Sequence, residues 1–268
     1  MKTKPLSTKL AGLRAVLAFD NWPMLLVGRL FDRRAGMVIY RKRGLEILVD
    51  HQGGDEVGTR LCIATDMYTR YLPHFSLAGP LRVLDLGANG GGFALMLRIE
   101  GFEFERVVCV EMNPSTWRRL LLNVTANIGS AAVAINAAVC GREQGGEILI
   151  AASRGGTSES MYAGAEDGAQ QRVAVPAVTL SALYDRYFSP HPVDICKVDI
   201  EAAEYEAFDA TPDDVLRRMR YLIVEFHDPE RAPAVIARLA AMGFEPIAAE
   251  RHRIGALAEI RAFRGPAA

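Results

Sequence analysis

Residues 195–201 read Ile-Cys-Lys-Val-Asp-Ile-Glu, and residues 224–227 read Val-Glu-Phe-His. In an extended strand alternate residues share a face. Ile195, Lys197, Asp199 and Glu201 therefore line one side of the first segment, and Glu225 and His227 share a side of the second. If the two strands are neighbours, a lysine, several carboxylates and a histidine meet at one mouth. Such a set suits removal of a proton from an attacking hydroxyl, which needs a base within hydrogen-bond reach. Asp199, Glu225 and His227 are the candidate bases, and the imidazole has the best-placed ordinary pKa. Lys197 stands out by composition, because the chain has 26 arginines and five lysines, and Lys197 is its only lysine after Lys42. A compact ammonium shifts its pKa more readily than a guanidinium. Two readings of Lys197 stay open: a catalytic cation, or a buried Lys197–Glu225 pair tying two strands together. Glu204 reads as a charge in the first turn of a helix. Asp199, Glu201 and Glu225 would also offer hard oxygen ligands to a divalent metal, although no tight ligand spacing demands one and no metal ligands are assigned.

A second constellation lies upstream. Residues 83–92 read Val-Leu-Asp-Leu-Gly-Ala-Asn-Gly-Gly-Gly and lead into Phe93-Ala-Leu-Met-Leu. This is a buried strand, a glycine-rich turn and a helix, which lets backbone N–H groups and a helix N-terminus approach a ligand. The apolar run Val107–Val110 ends in Glu111, an acid placed for the hydroxyls of a ribose. A dinucleotide site would carry G-x-G-x-x-G, but Asn89 occupies the second glycine position. A pyrophosphate fits poorly there. S-adenosylmethionine has ribose, adenine and an amino acid but no phosphate, and the Asp85 carboxylate beside the turn suits its ammonium. Asp85, Gly87, Asn89, Gly90 and Glu111 are the candidate cofactor residues. A nicotinamide-dependent reductase is disfavoured by the missing glycine.

On these motifs the chain resembles the FkbM-type S-adenosylmethionine-dependent methyltransferases. The likeness rests on Asp85-Leu-Gly-Ala-Asn-Gly-Gly91, Val110-Glu-Met-Asn-Pro114, Lys197-Val-Asp-Ile-Glu-Ala-Ala-Glu204 and Val224-Glu-Phe-His227, and it spans roughly residues 60–265. The resemblance implies a class I, Rossmann-like methyltransferase fold and O-methylation of a sugar, polyketide or other secondary metabolite. It also implies that Asn136 and Ala137, at the end of a third strand, line the adenine. Two positions depart from the family pattern: Ala202 stands where glycine is usual, and Ser181 where aspartate is usual.

These residues need a scaffold that gathers strand ends. Strands are predicted at 81–86, 106–111, 132–136, 146–151, 172–178, 193–199 and 220–226. Helices are predicted at 91–100, 114–127, 180–188, 202–209 and 229–242. Such alternation implies a doubly wound, mostly parallel α/β sheet with helices on both faces, and ligands beyond the strands' carboxyl ends. Residues 1–70 form an N-terminal segment of helices and a β-hairpin turning at Arg43-Gly44, a candidate lid or substrate cover for the site. Residues 71–268 form the cofactor domain. The stretch 153–172 has no periodicity and reads as a long loop.

At 268 residues, half of them hydrophobic and with a net charge of −1, the chain suits one soluble enzyme rather than a general polyanion binder. This balance favours a small-molecule or glycan acceptor over nucleic acid. RNA ribose methylation and a non-catalytic S-adenosylmethionine-binding module remain alternatives. Four cysteines without a C-x-x-C pair imply buried thiols. No signal peptide or membrane span is read, so the expected compartment is the cytoplasm. Arg29, Arg33, Arg34, Arg41, Lys42 and Arg43 form a basic cluster, either a solvated face or a contact for an anionic lipid or phosphorylated substrate.

Overall fold

The computed structural model describes residues 6–31, 36–141, 146–151, 172–247, 252–254 and 258–267. Residues 153–171 of the expected loop, together with Arg33 and Arg34, lie outside the described residues. The chain opens with helices α1 (Leu6–Leu17) and α2 (Trp22–Phe31), then strands β1 (Met37–Lys42) and β2 (Leu45–Asp50). These strands pair antiparallel in full register. Arg43 and Gly44 both have positive φ, the two-residue turn whose twist matches a hairpin. A π-helical turn, Glu56–Leu61, runs into the short α3 (Cys62–Ala64), and a 3-10 turn follows at Thr69–His74.

The alternating unit then begins with β3 (Leu81–Leu86), α4 (Gly92–Ile99), β4 (Phe104–Glu111), α5 (Pro114–Asn127), β5 (Ala132–Asn136) and the two-residue β6 (Ala138–Val139). It continues through β7 (Glu147–Ala151), β8 (Arg172–Val178), α6 (Leu180–Tyr187), β9 (Val193–Val198), α7 (Glu204–Ala210), α8 (Asp213–Leu216), β10 (Met219–Phe226) and α9 (Ala232–Ala241). The chain ends on β11 (Glu245–Pro246), β12 (His252–Ile254) and β13 (Ala258–Arg264). The caps follow local chemistry. Asn113 accepts from the N–H groups of Ser115 and Thr116 with Pro114 in the first turn of α5, and Thr179 accepts from Ala182 to start α6, side-chain bonds that satisfy otherwise orphaned donors.

The main sheet has the order β11-β13-β10-β9-β3-β4-β5, with β12 added to β13. The strands β5, β4, β3, β9 and β10 are mutually parallel, and β13 runs antiparallel beside β10. The order reverses between β3 and β9, so the crevice of this doubly wound fold opens above those two strands. Alternate residues feed two cores. Val83, Val107, Cys109, Ile195 and Ile223 pack with the N-terminal segment and α4, whereas Leu84, Val108, Val110, Cys196 and Leu222 pack with α6, α7 and α9. All four cysteines are buried and free, as the sequence implies.

Two features differ from the sequence reading. The segments 147–151 and 172–178 leave the main sheet and pair with each other antiparallel, with β6 alongside β8. Their separate small core of Cys140, Ile148, Ile150 and Val175 explains why their pattern looked like further sheet strands. β13 was not read as a strand. Two buried residues alternate with one less buried residue along it, so it lacks a period of two. The N-terminal segment shares a core with the sheet: Val16, Phe19, Tyr40 and Ile47 pack in one cluster with Val83 and Phe93.

Candidate active site

The turn after β3 is set by close approaches. Gly87 has φ +73°, and a Cβ there would fall on the carbonyl oxygen of Asp199. Glycine is therefore required both by conformation and by the contact between the ends of β3 and β9. Gly91, also left-handed, precedes α4. The turn is clamped from upstream. Thr59 Oγ1 donates to Asn89 Oδ1 at 2.9 Å and accepts from Gly90 N–H at 3.0 Å, and a Cβ on Gly92 would strike the carbonyl oxygen of Gly58. A side chain at Gly90 would meet Thr59 rather than open cleft. Asn123 Nδ2 donates to the Gly90 carbonyl. Thr59 and Asn123 carried no motif in the sequence, so their part was not legible there.

Glu111, at the end of β4, accepts from Asn89 N–H at 3.0 Å and from Asn113 N–H at 2.8 Å, one on each oxygen. These two bonds fix the orientation of the carboxylate at the strand end. Asn136 Nδ2 donates to the carbonyls of Glu111 and Met112, tying β5 to the same strand end. Ala137 lies beside them and is buried. Asp85 is placed differently from expectation. It is fully buried, and Lys197 Nζ, 3.2 Å from Oδ1, is its one ionic partner among the described residues. Its carboxylate faces the lysine rather than an open crevice.

Register explains that pair. Asp85 lies directly across from Lys197 on β3, while Ile223 is its partner on β10. The expected Lys197–Glu225 pair does not form. Lys197 Nζ instead donates to the Gly87 carbonyl at 2.8 Å and sits 3.2 Å from both Asp85 and Asp199. The Tyr68 ring lies 5.9 Å away. Burial works against its charge, but Asp85 and Asp199 more than offset this, so its pKa is raised and the ammonium is firmly held.

The remaining acids surround His227. Its Nε2 lies 3.4 Å from Glu201, 3.7 Å from Asp199 and 3.7 Å from Glu225. On the other side Glu204 accepts from the His227 backbone N–H at 2.9 Å and lies 3.3 Å from Nδ1. Glu204 is in the first turn of α7, as read, yet it is fully buried and holds the imidazole. Burial disfavours a charged His227, but the Glu204 hydrogen bond and the charges of Glu204, Glu201 and Asp199 outweigh it and raise its pKa to about 9. The ring is therefore a cation at neutral pH, which removes the main argument for it as the base. Glu201 and Glu225 move to about 7 and about 8, first because burial penalises their charge and then because of neighbouring Asp199. Asp199, Glu201 and His227 are also spaced to share a cation. The loop carrying Asp199 and Glu201 is contorted, with Glu201 at φ +52° and Ala202 at φ +75°.

Thus the expected catalytic residues Lys197, Asp199, Glu225 and His227 do converge, at the carboxyl ends of β9 and β10 and beside the Gly87 turn. Residues 85–246 match the model of the methyltransferase FkbM domain. The chain belongs to the FkbM methyltransferase family. This FkbM chain is thereby an S-adenosylmethionine-dependent methyltransferase of class I, Rossmann-like architecture. Its fold is also similar to solved structures of low identity. An FkbM methyltransferase from Methylobacillus flagellatus shares 15% identity at TM-score 0.49, covering 74% of this chain and 47% of that one. The methyltransferase domain of METTL16 shares 11% at 0.46, covering 77% and 68%. A tRNA m1G37 methyltransferase from M. jannaschii shares 11% at 0.44, covering 86% and 57%. The chain thus spans about half the length of two of these three. No curated protein matches its sequence. No helix among the described residues is long and apolar enough to cross a membrane.

Proposed function

We propose that this FkbM methyltransferase methylates a hydroxyl of a sugar, polyketide or similar metabolite. The observation that carries the reading is the ring of Asp199, Glu201, Glu225 and His227, whose contacts to Nε2 span 3.4–3.7 Å, next to the cofactor turn. S-adenosylmethionine, when bound, supplies an activated methyl group. Support comes from an acid, Glu111, held at the end of β4 beside the glycine turn, and the likeness to the family implies that Asn136 and Ala137, at the next strand end, line the adenine. Asp85 supports this indirectly, by fixing Lys197 under the turn.

An alcohol must lose its proton as it attacks. Glu201 is the more exposed of the two raised carboxylates, and a pKa of about 7 matches a base working near neutrality. Glu201 takes the hydroxyl proton. Asp199 and the His227 cation hold the acceptor oxygen in line, and Glu204 holds His227. A hollow of about 620 Å³ lined by Ala202, Glu206, Asp209, Ala210 and Arg231 opens beside this loop, and its mix of alanine and charged side chains suits a hydroxylated acceptor. Residues 1–70 act as the cover of the site and residues 71–268 as the cofactor domain.

The test is transfer of labelled methyl from S-adenosylmethionine to a panel of glycosides, polyketide alcohols, amines and RNA. Alcohol-only transfer is expected. Asp199→Asn, Glu201→Gln and His227→Ala should each lower kcat about 10²–10⁴-fold with cofactor affinity nearly intact. Transfer confined to amines or to RNA would refute the reading.

A further inference from the structure

The first 43 residues hold ten lysines and arginines against two aspartates, in a chain whose net charge is −1. The basic excess is therefore local to the N-terminal segment, and the rest of the chain is acidic. The same segment exposes apolar side chains. Leu13 and Leu17, one turn apart on α1, face solvent, as do Trp22 at 42%, Met24 at 59% and Val27 at 53% on α2. Met37 and Ile39, on one face of β1, are exposed at 59% and 46%.

Helix α2 reads Trp-Pro-Met-Leu-Leu-Val-Gly-Arg-Leu-Phe, and Arg29 is its one charge. A helix this apolar is expected to be buried. Here Leu25 turns into the core, while Trp22, Met24 and Val27 do not. The loop entering α2 lies against β1. Asn21 bonds Ile39 O and Arg41 N–H through its side chain, Asp20 N–H donates to Arg41 O, and Arg43 N–H donates to Asp20 Oδ2. The start of α2 is thus stitched to the edge of β1. Arg14 is exposed beside Leu13 on α1, and Arg41 and Arg43 are more than half exposed on the hairpin, where Arg41 pairs with Glu46 at 2.9 Å and Arg43 lies 4.0 Å from Glu100.

We infer that this face docks on an anionic lipid surface, with Trp22, Met24, Val27 and Ile39 entering the headgroup boundary and the basic side chains meeting lipid phosphates. Local positive charge around an apolar face is the complement of such a membrane, where each basic residue near the surface adds to attraction and tryptophan favours the boundary. Nucleic acid would use the same charge but offers no partner to exposed methionine, valine and isoleucine. A second copy of this chain would have to bring two strongly basic segments together. The inference is independent of the acceptor.

The test is sedimentation of the full chain with vesicles of phosphatidylcholine alone or containing phosphatidylglycerol. Binding is expected to the anionic vesicles only, to weaken as salt is raised, and to shift Trp22 emission to the blue. Met24→Glu/Val27→Glu should weaken binding by more than about tenfold, since burying each apolar side chain is worth more than that factor in part or whole. Arg14→Glu should weaken it less. Both variants change exposed positions, so the melting temperature and S-adenosylmethionine affinity should match the parent. Failure to bind anionic vesicles, equal binding by the double variant, or a blue shift produced by RNA or by self-association without lipid would overturn the inference.

Discussion

Replacing Lys197 by methionine asks what the buried lysine does. Lys197 and Asp85 are both inaccessible, and no other ionic partner of Asp85 is found among the described residues. The variant strands a carboxylate in the centre of the sheet and removes the bond to the Gly87 carbonyl. Breaking a buried pair from one side costs about 3–5 kcal/mol, whereas replacing both partners with apolar groups is often neutral. Lys197→Met should therefore lower Tm by on the order of 10 °C, and Asp85→Leu/Lys197→Met should recover most of it. Burial raises the Asp85 pKa, partly offset by Lys197, and without the lysine the rise is larger. A raised folded-state pKa stabilises at low pH and loses that contribution as pH rises. The deficit of Lys197→Met should shrink as pH falls. Denaturant titrations at several pH values read both effects. A double variant no more stable than the single, or a deficit that grows in acid, would refute the account.

Other outcomes follow from the same geometry. His227, Glu225 and Glu201 have folded pKa values of about 9, 8 and 7, all above their ordinary ones. Their shared contribution to stability is full only below about pH 4.5, the ordinary glutamate range, and is lost progressively up to about pH 9, so the melting temperature should fall across that window and Glu201→Gln/Glu225→Gln should flatten its acid half. Glu204→Gln should lower the His227 pKa, measured by NMR titration, and shift the pH–rate profile while leaving cofactor affinity unchanged. Glu111→Ala should weaken S-adenosylmethionine binding by at least about tenfold in calorimetry, the worth of hydrogen bonds to a charged group. Ala202→Gly, which relieves a left-handed alanine at φ +75°, should stabilise by about 0.5–1 kcal/mol after the entropy cost of glycine, read by chemical denaturation.

The parallel sheet and the strand ends were legible because Val83–Leu86, Val107–Val110 and Val193–Val198 are short apolar runs bounded by turns. Period-two reasoning placed Lys197, Asp199 and Glu201 on one side, and the structure brings them to one mouth. What it could not supply was register. A shared face does not say which residue of which neighbour lies opposite, and Asp85, not Glu225, faces Lys197. The imidazole's charge was illegible for a similar reason: Glu204 is separated from His227 by 23 positions and meets it through the fold. The clamp of Thr59 on the glycine turn spans 31 positions and involves an ordinary threonine.

That clamp bears on how the protein can be divided. The family match begins at residue 85 and ends at 246, but the glycine turn is braced by Gly58 and Thr59, and β10 is covered by β13 at 258–264. A fragment cut to the matched span would lose the brace on its ligand loop and gain a raw apolar sheet edge, an invitation to aggregate. The inherited unit and the physical unit have different borders. Grafts, truncations and chimaeras of this enzyme should be cut outside both.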